Sequence, residues 1–403
     1  MSEYQHVQFA VDAPLSDAQL AQVRALTTRA RLTRHSLVNT YSWGNFKGDP
    51  HRLIESHYDA YLYFANWGTR EVILRWPASA LPLASVVGYC AGPSAACRQA
   101  GRYVVLTLRS DREDGGEDGG EDFHELFGDD DDPEEGSERW LPSITRARHL
   151  LAEGDRRPLY LAWLLNLNEG ELDSTDLEPA VPPGLADLPE PLADLAAFLR
   201  IDPDLIAAAA TRSPKSPPRP TPAEYRTWLA TLDAADKDTA LARLLHDGDP
   251  QVLAQLRHRF HDTRTAPASS PGPARTVAAL RAQVSADRAA RIAEAERCQA
   301  VERQRAARAA QQAQQQRLKA LRHDPEAAWT RVGDLLTQRG TRHYAEVVRL
   351  LSDLAALADQ QKNLDTFTAR YACFLDLHRT KKALLRELRA AGPHLAVLTP
   401  EAR

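Results

Sequence analysis

The sequence is poor in the features that announce most chemistry. Four cysteines in 403 residues, Cys90, Cys97, Cys298 and Cys373, are too few and too scattered for a disulfide framework, a zinc ribbon or an iron–sulfur cluster, and they read as reduced thiols. Long hydrophobic runs are missing as well. The most apolar stretch, residues 159–165, falls far short of the ~20 residues that span a bilayer, and MSEYQHVQF lacks the basic and then apolar order of a secretory signal. A cytoplasmic protein with no membrane partner is therefore expected. Nucleotide and metallohydrolase signatures are absent too: in GNFKGDP, Lys47 precedes the second glycine and Asp49 follows it, the wrong order for a phosphate loop, and no HExxH occurs. No residue is assigned a catalytic, cofactor-binding or metal-ligating role, no cofactor is expected, and an enzymatic reading has no residue to carry it.

What the sequence has is size and unevenly placed charge. A hydrophobic share of 43% over 403 residues supports two or three folded units at roughly 150 residues each. The net charge of −5 conceals a segregation: residues 111–138 hold 15 acids against Arg112 alone, and residues 275–322 hold 11 Lys or Arg against Asp287, Glu294, Glu296 and Glu302. Like-charge blocks of this kind are solvated segments or interaction sites. The acidic block has only Phe123, Leu126 and Phe127 as large apolar groups, too little burial to offset its ordering entropy, so a disordered loop is expected. Asp129 to Asp132 within it lack the ligand alternation of a calcium loop. Of the 27 aromatic residues, 13 lie in the first 110 positions and none in 275–322, which places a packed globule at the N-terminus and not in the basic segment.

Periodicity and punctuation supply the elements. Residues 3–11 alternate as a strand, and Ser16 is an N-cap for a helix with Leu20, Val23 and Leu26 on one face. Residues 32–43 are β-prone. YLYFAN and REVILRW flank Trp67, Gly68 and Thr69 as a hairpin, a helix is expected near 80–89, and residues 102–109 form a last strand. Trp140, Ile144, Ala147 and Leu151 mark a further helix. Asp202, Thr221, Asp249 and Asp324, each followed by proline, predict four helix starts, and Thr221 with Glu224 has capping-box spacing. No glycine or proline interrupts residues 276–323, so one helix is expected there. Its apolar stripe of Val277, Leu280, Val284, Ile292, Ala295 and Cys298 approximates a heptad that Asp287 and Arg291 break.

These signals predict an α+β N-terminal domain with a small antiparallel sheet, followed by all-α segments and a long basic helix. The expected divisions are an α+β domain over 1–110, the acidic loop over 111–138, and a helical subdomain packed on the first domain over 139–212. A linker over 213–221, a helical pair over 222–262 and a second linker over 263–274 follow. The long basic helix occupies 275–323 and a C-terminal helical hairpin 324–391.

Four constellations bear on function. Tyr61 and Tyr63 share one strand face with Trp67 in the adjoining turn; if that face is open, the three are candidate partner-binding residues, and packing in the core is the alternative. Arg303, Arg305, Arg308, Arg317 and Lys319 are candidate nucleic-acid contacts on charge alone. His258 and His261 are spaced to meet one metal but have no third ligand, and surface histidines are the plainer reading. Cys90 and Cys97 flank Gly92 and Pro93, a turn that brings them near each other, and read as core thiols.

EYQHVQFAVDAPLSDAQ, LVNTYSWGNFKGDPHRLIESHYDAYLYFANWGTRE and FLRIDPDLIAAAA resemble segments of a bacterial family of unknown function, over about residues 1–262. That resemblance implies no activity. The stretch HYAEVVRLLSDLAALADQQKNLDTFTARYACFLDLHRTKKALLREL is similar to the tail helices that follow SWIM zinc fingers in some bacterial proteins. The zinc-binding Cys-x-Cys and Cys-x-His have no counterpart in this sequence, so the likeness implies a helical interaction module and no zinc. The expected function is a non-enzymatic cytoplasmic adaptor or scaffold for a partner protein, with pairing into a homodimer through the long helix allowed by its pattern. The alternative is nucleic-acid binding by residues 275–322, with the acidic block 111–138 as an internal competitor.

Overall fold

The computed structural model describes residues 4–111, 140–218, 220–246, 250–264, 274–338, 342–391 and 395. Apart from Asp111 the acidic block lies outside them, as do Asp249 and most of the second linker. Contacts divide the chain into two units, Met1–Ala290 and Arg291–Arg403.

The first unit is built on a seven-stranded, wholly antiparallel sheet in the order β2-β3-β1-β4-β5-β7-β6. Its strands are β1 (Gln5–Ala10), β2 (Arg31–Leu32), β3 (Ser36–Tyr41), β4 (Ala60–Ala65), β5 (Thr69–Pro77), β6 (Ala95–Ala100) and β7 (Tyr103–Asp111). Register puts Phe9, Tyr61 and Ile73 in one row, with Leu37 of β3 beside them. Their face packs against α1 (Asp17–Leu26) and α2 (Pro50–Ser56) through Val23, Leu53, Ile54 and Tyr58. The opposite face, with Leu62, Phe64, Val72, Leu74, Trp76 and Leu106, packs under α3 (Trp140–Ala152), α4 (Arg157–Asn168), α5 (Glu190–Phe198) and α6 (Pro203–Ala210). Because both faces of β4 and β5 are covered, these strands are buried almost throughout and read as apolar runs where a half-exposed strand would alternate.

Local chemistry accounts for most boundaries. Ser16 and Gln19 form a capping box, Thr221 and Glu224 form another, and Asp202 and Asp324 accept hydrogen bonds from the first-turn amides of Asp204 and Ala327. Asp49 caps α2 in the same way ahead of Pro50. The helix expected near 80–89 is instead two 3-10 turns, Leu83–Ser85 and Val87–Tyr89. Strand β6, AACRQA, has weak β propensity and was not expected; six cross-strand pairs with β7 impose it.

Residues 222–262 hold three helices, α7 (Pro222–Thr231), α8 (Ala234–His246) and α9 (Pro250–Arg264), where the pattern suggested a pair. The break falls at Leu232, whose extended backbone needs no glycine or proline. Phe260 gathers Tyr225 and Trp228 around it. Helix α10 (Val277–His323) is continuous over 47 residues, about 70 Å at 1.5 Å per residue. Val277, Leu280 and Val284 at its start are buried in the core of the first unit, so the first three heptad positions are occupied there and cannot pair with a second helix. Buried Arg275 fastens this end: it binds Glu178, which also accepts from the Tyr160 hydroxyl, and Gln283.

The second unit holds α11 (Pro325–Thr337), α12 (Tyr344–Gln360), α13 (Leu364–Leu377) and α14 (Lys382–Ala390), four helices over the span expected to be a hairpin. Lys362 at φ +55° turns the chain between α12 and α13, a left-handed position for which sequence normally advertises glycine or asparagine. Val332, Leu351, Leu354, Phe367, Tyr371 and Leu388 form the core.

Candidate functional site

The aromatic candidates separate in the structure. Tyr61 is 3% exposed and its ring lies 4.7 Å from that of Phe9, so the tyrosine face is core at this position. Burial also pushes its phenol well above the ordinary range. Tyr63 is half-buried and donates its hydroxyl to Gln5 Oε1 at 3.1 Å. Trp67 alone is exposed, in the β4–β5 turn where Gly68 takes φ +103°. Beside Tyr63 in the sheet stands Glu71, whose carboxyl is raised chiefly by burial although Arg109 lies 4.0 Å away.

The basic candidates separate too. Residues 294–316 of α10 are exposed on every side, and Arg303, Arg305 and Arg308 lie among them. At ~100° per residue Arg303 points roughly 200° away from Arg305, whereas Arg305 and Arg308 fall on one side. Arg317 is occupied: its Nε donates to Asp353 Oδ2 at 2.6 Å, and Asp353 is 2% exposed within the second unit. Lys319 is exposed.

Sequence reasoning did not anticipate a polar cleft of about 270 Å³ in the first unit, lined by Asp12, Trp76, Arg148, His149, Glu153 and Arg257 with the apolar Pro77, Ala80, Ala152 and Leu253. Its floor is a buried network. Arg148 is 3% exposed and donates Nη1 to Asp12 Oδ2 at 2.7 Å and Nε to the Arg75 carbonyl at 2.8 Å. Arg75 holds Asp59 through Nε and Nη2, and the Asp12 amide donates to the same carboxylate. His149 Nε2 lies 3.1 Å from Asp12 Oδ1. Burial alone would raise the Asp12 carboxyl, but the bond to His149 and the charge of Arg148 outweigh it and hold it well below the ordinary value. At the mouth Arg257 pairs with Glu153. Every charge here is matched by another, so an incoming polar group must displace a pair to bind and gains little by doing so. Asp59 belongs to this support.

A wider depression of about 500 Å³ between α1 and β2 is lined by Leu20, Arg24, Leu32 and Arg34. Both guanidiniums are engaged, Arg24 with the Ala30 carbonyl and Arg34 with Asp17. His258 and His261 pack near Gly154, and among the described residues no group of three His, Cys, Asp or Glu could hold a metal. No described helix is long and apolar enough to cross a membrane.

Apolar side chains also stand open to a partner. On α8, Leu241 and Leu245 stand one turn apart at 55% and 86% exposure; Leu229 of α7 and Leu253 of α9, which also lines the cleft, are exposed as well. Isolated exposed leucines are common; these four lie on three consecutive helices. No protein-family model, curated protein or solved structure matches the chain.

Proposed function

We propose that the chain is a non-enzymatic adaptor that binds a partner protein through the apolar side chains of α7, α8 and α9. The observation that supports this reading is the pair Leu241 and Leu245 on one face of α8, the spacing by which an amphipathic helix enters an apolar groove. The exposed stretch of α10 then serves as a spacer whose charged surface keeps it in water. A second reading, nucleic-acid binding by α10, draws on Arg305 and Arg308 standing exposed on one side of that helix. Residues 111–138 are the competing polyanion in this reading, and their deletion tightens nucleic-acid binding.

Purification of the tagged full-length chain from its native cells at low salt tests both, with Leu241→Asp/Leu245→Asp and Arg305→Glu/Arg308→Glu run in parallel. A stoichiometric protein that is lost from the leucine variant and kept by the arginine variant supports the adaptor. Nuclease-sensitive material that leaves as salt rises, and is lost from the arginine variant, supports the second reading. A protein retained by the leucine variant overturns the assignment to α8.

A further inference from the structure

Cys90 and Cys97 sit on either side of a two-residue turn closed by an antiparallel bridge between Gly92 and Ala95. Each cysteine lies two residues outside that bridge, Cys90 before Gly92 and Cys97 after Ala95. A disulfide requires Cα atoms about 4.4–6.8 Å apart, a window that includes the ~4.5–5.5 Å between residues facing each other across antiparallel chains. The thiols are near enough for Cys97 to contribute to the raised titration of Cys90, and both residues are partly buried.

The turn is held from outside. The Ser94 amide and hydroxyl donate to the Glu171 carboxylate, and the Ala95 amide donates to Oδ1 of buried Asn166 at 2.8 Å. Gly92 is required for this approach, since a Cβ there would overlap the Glu171 carboxylate. Two acceptors from α4 and the chain just after it therefore fix the geometry of the segment that carries both sulfurs. Cys298 and Cys373, by contrast, are exposed.

We propose that Cys90 and Cys97 are an intramolecular disulfide site, oxidised by a low-molecular-weight disulfide such as oxidised glutathione. One protein thiolate attacks a sulfur of the oxidant and expels a glutathione thiolate; the second protein thiolate attacks the mixed disulfide and expels the other. The protein dithiol loses two electrons, the oxidant gains them, and the two thiol protons end on the two released glutathiones. Preorganisation by Glu171 and Asn166 raises the effective concentration of one thiol at the other and so lowers the reduction potential of the pair. Burial, then the nearness of Cys97, pushes the Cys90 thiol well above its ordinary value, so exchange is slow at neutral pH and samples must be brought to equilibrium.

The test is equilibration of the full chain in glutathione buffers of graded ratio, native and in urea, followed by acid quench, alkylation in denaturant and tryptic mapping. Both cysteines fall in one tryptic peptide, residues 76–98, so the disulfide reads as a peptide that carries neither alkyl group and is two hydrogens lighter than the dithiol. The expected result is a native midpoint at an oxidised-to-reduced ratio at least about tenfold lower than in urea. Glu171→Gln shifts the native midpoint toward the urea value and leaves the urea value unchanged; Cys97→Ser abolishes the signal. Equal midpoints in native and unfolded protein, or a doubly alkylated native peptide at ratios that glutathionylate Cys298 and Cys373, would overturn the proposal. The wild-type comparison decides even if Glu171→Gln fails to fold.

Discussion

Replacing Arg148 by methionine tests the reasoning about the buried network most directly. The side chain fits the same channel, but Asp12 loses its guanidinium, the Arg75 carbonyl loses a donor, and the contact over the Trp76 ring, 5.8 Å from its centroid, loses its charge. Asp59 is cushioned, since Arg75 and the Asp12 amide still serve it. Breaking a buried pair from one side costs about 3–5 kcal/mol. Asp12 keeps His149 and is 17% exposed, so water can reach it, and the expected loss is at the lower end, about 3 kcal/mol. Urea unfolding followed by fluorescence of Trp76, Trp140 and Trp163, all buried in the first unit, measures it. The double variant Asp12→Asn/Arg148→Met should recover part of the loss, because it removes the stranded carboxylate along with its partner. The sign with pH follows from the depressed Asp12 pKa: the stabilisation is full above the ordinary aspartate value of 3.8 and drains as pH falls toward the lower folded value, so wild type and Arg148→Met should converge in acid. A single-variant loss below about 1 kcal/mol, or a double variant as unstable as the sum of the singles, would refute the account.

Three further outcomes are expected. His6 is buried, and burial followed by the charge of Arg31 lowers its pKa from 6.5 to about 4; the unfolded chain therefore binds the proton first, stability falls as pH drops from 6.5 to 4, and about 3 kcal/mol of that slope should vanish in His6→Phe, read from urea midpoints at either end of that range. Leu280→Ala should cost about 3 kcal/mol through the cavity it leaves in the core of the first unit and should raise amide exchange over the first turns of α10. Thr221→Ala removes the capping box of α7 and should cost about 1 kcal/mol, seen as faster amide exchange in α7 with no shift in the unfolding of the sheet.

Local signals in this chain are short-range and survive being read one residue at a time. Ser16, Asp202, Thr221 and Asp324 cap the helices they announce because a cap involves only the next three residues. The hairpin around Gly68 and the long α10 were legible for the same reason. Strand β6 was not, since nothing in AACRQA prefers a strand and only β7 beside it supplies the hydrogen bonds. Nor was the cleft: Asp12, Arg148 and Arg257 are brought together by the packing of α3 on the sheet and α9 beside α3, and no spacing in the sequence signals that meeting.

By itself, then, the sequence determined the α+β class, the helix starts, the uninterrupted basic helix and the charge segregation, all set by propensity, capping and composition along the chain. Tertiary structure decided which of those residues are available. It buried Tyr61 and left Trp67 open, tied Arg317 to Asp353, and spent Val277, Leu280 and Val284 on the first unit's core. The same chemical group is a contact or a support according to what packs over it, and that depends on residues far away in sequence.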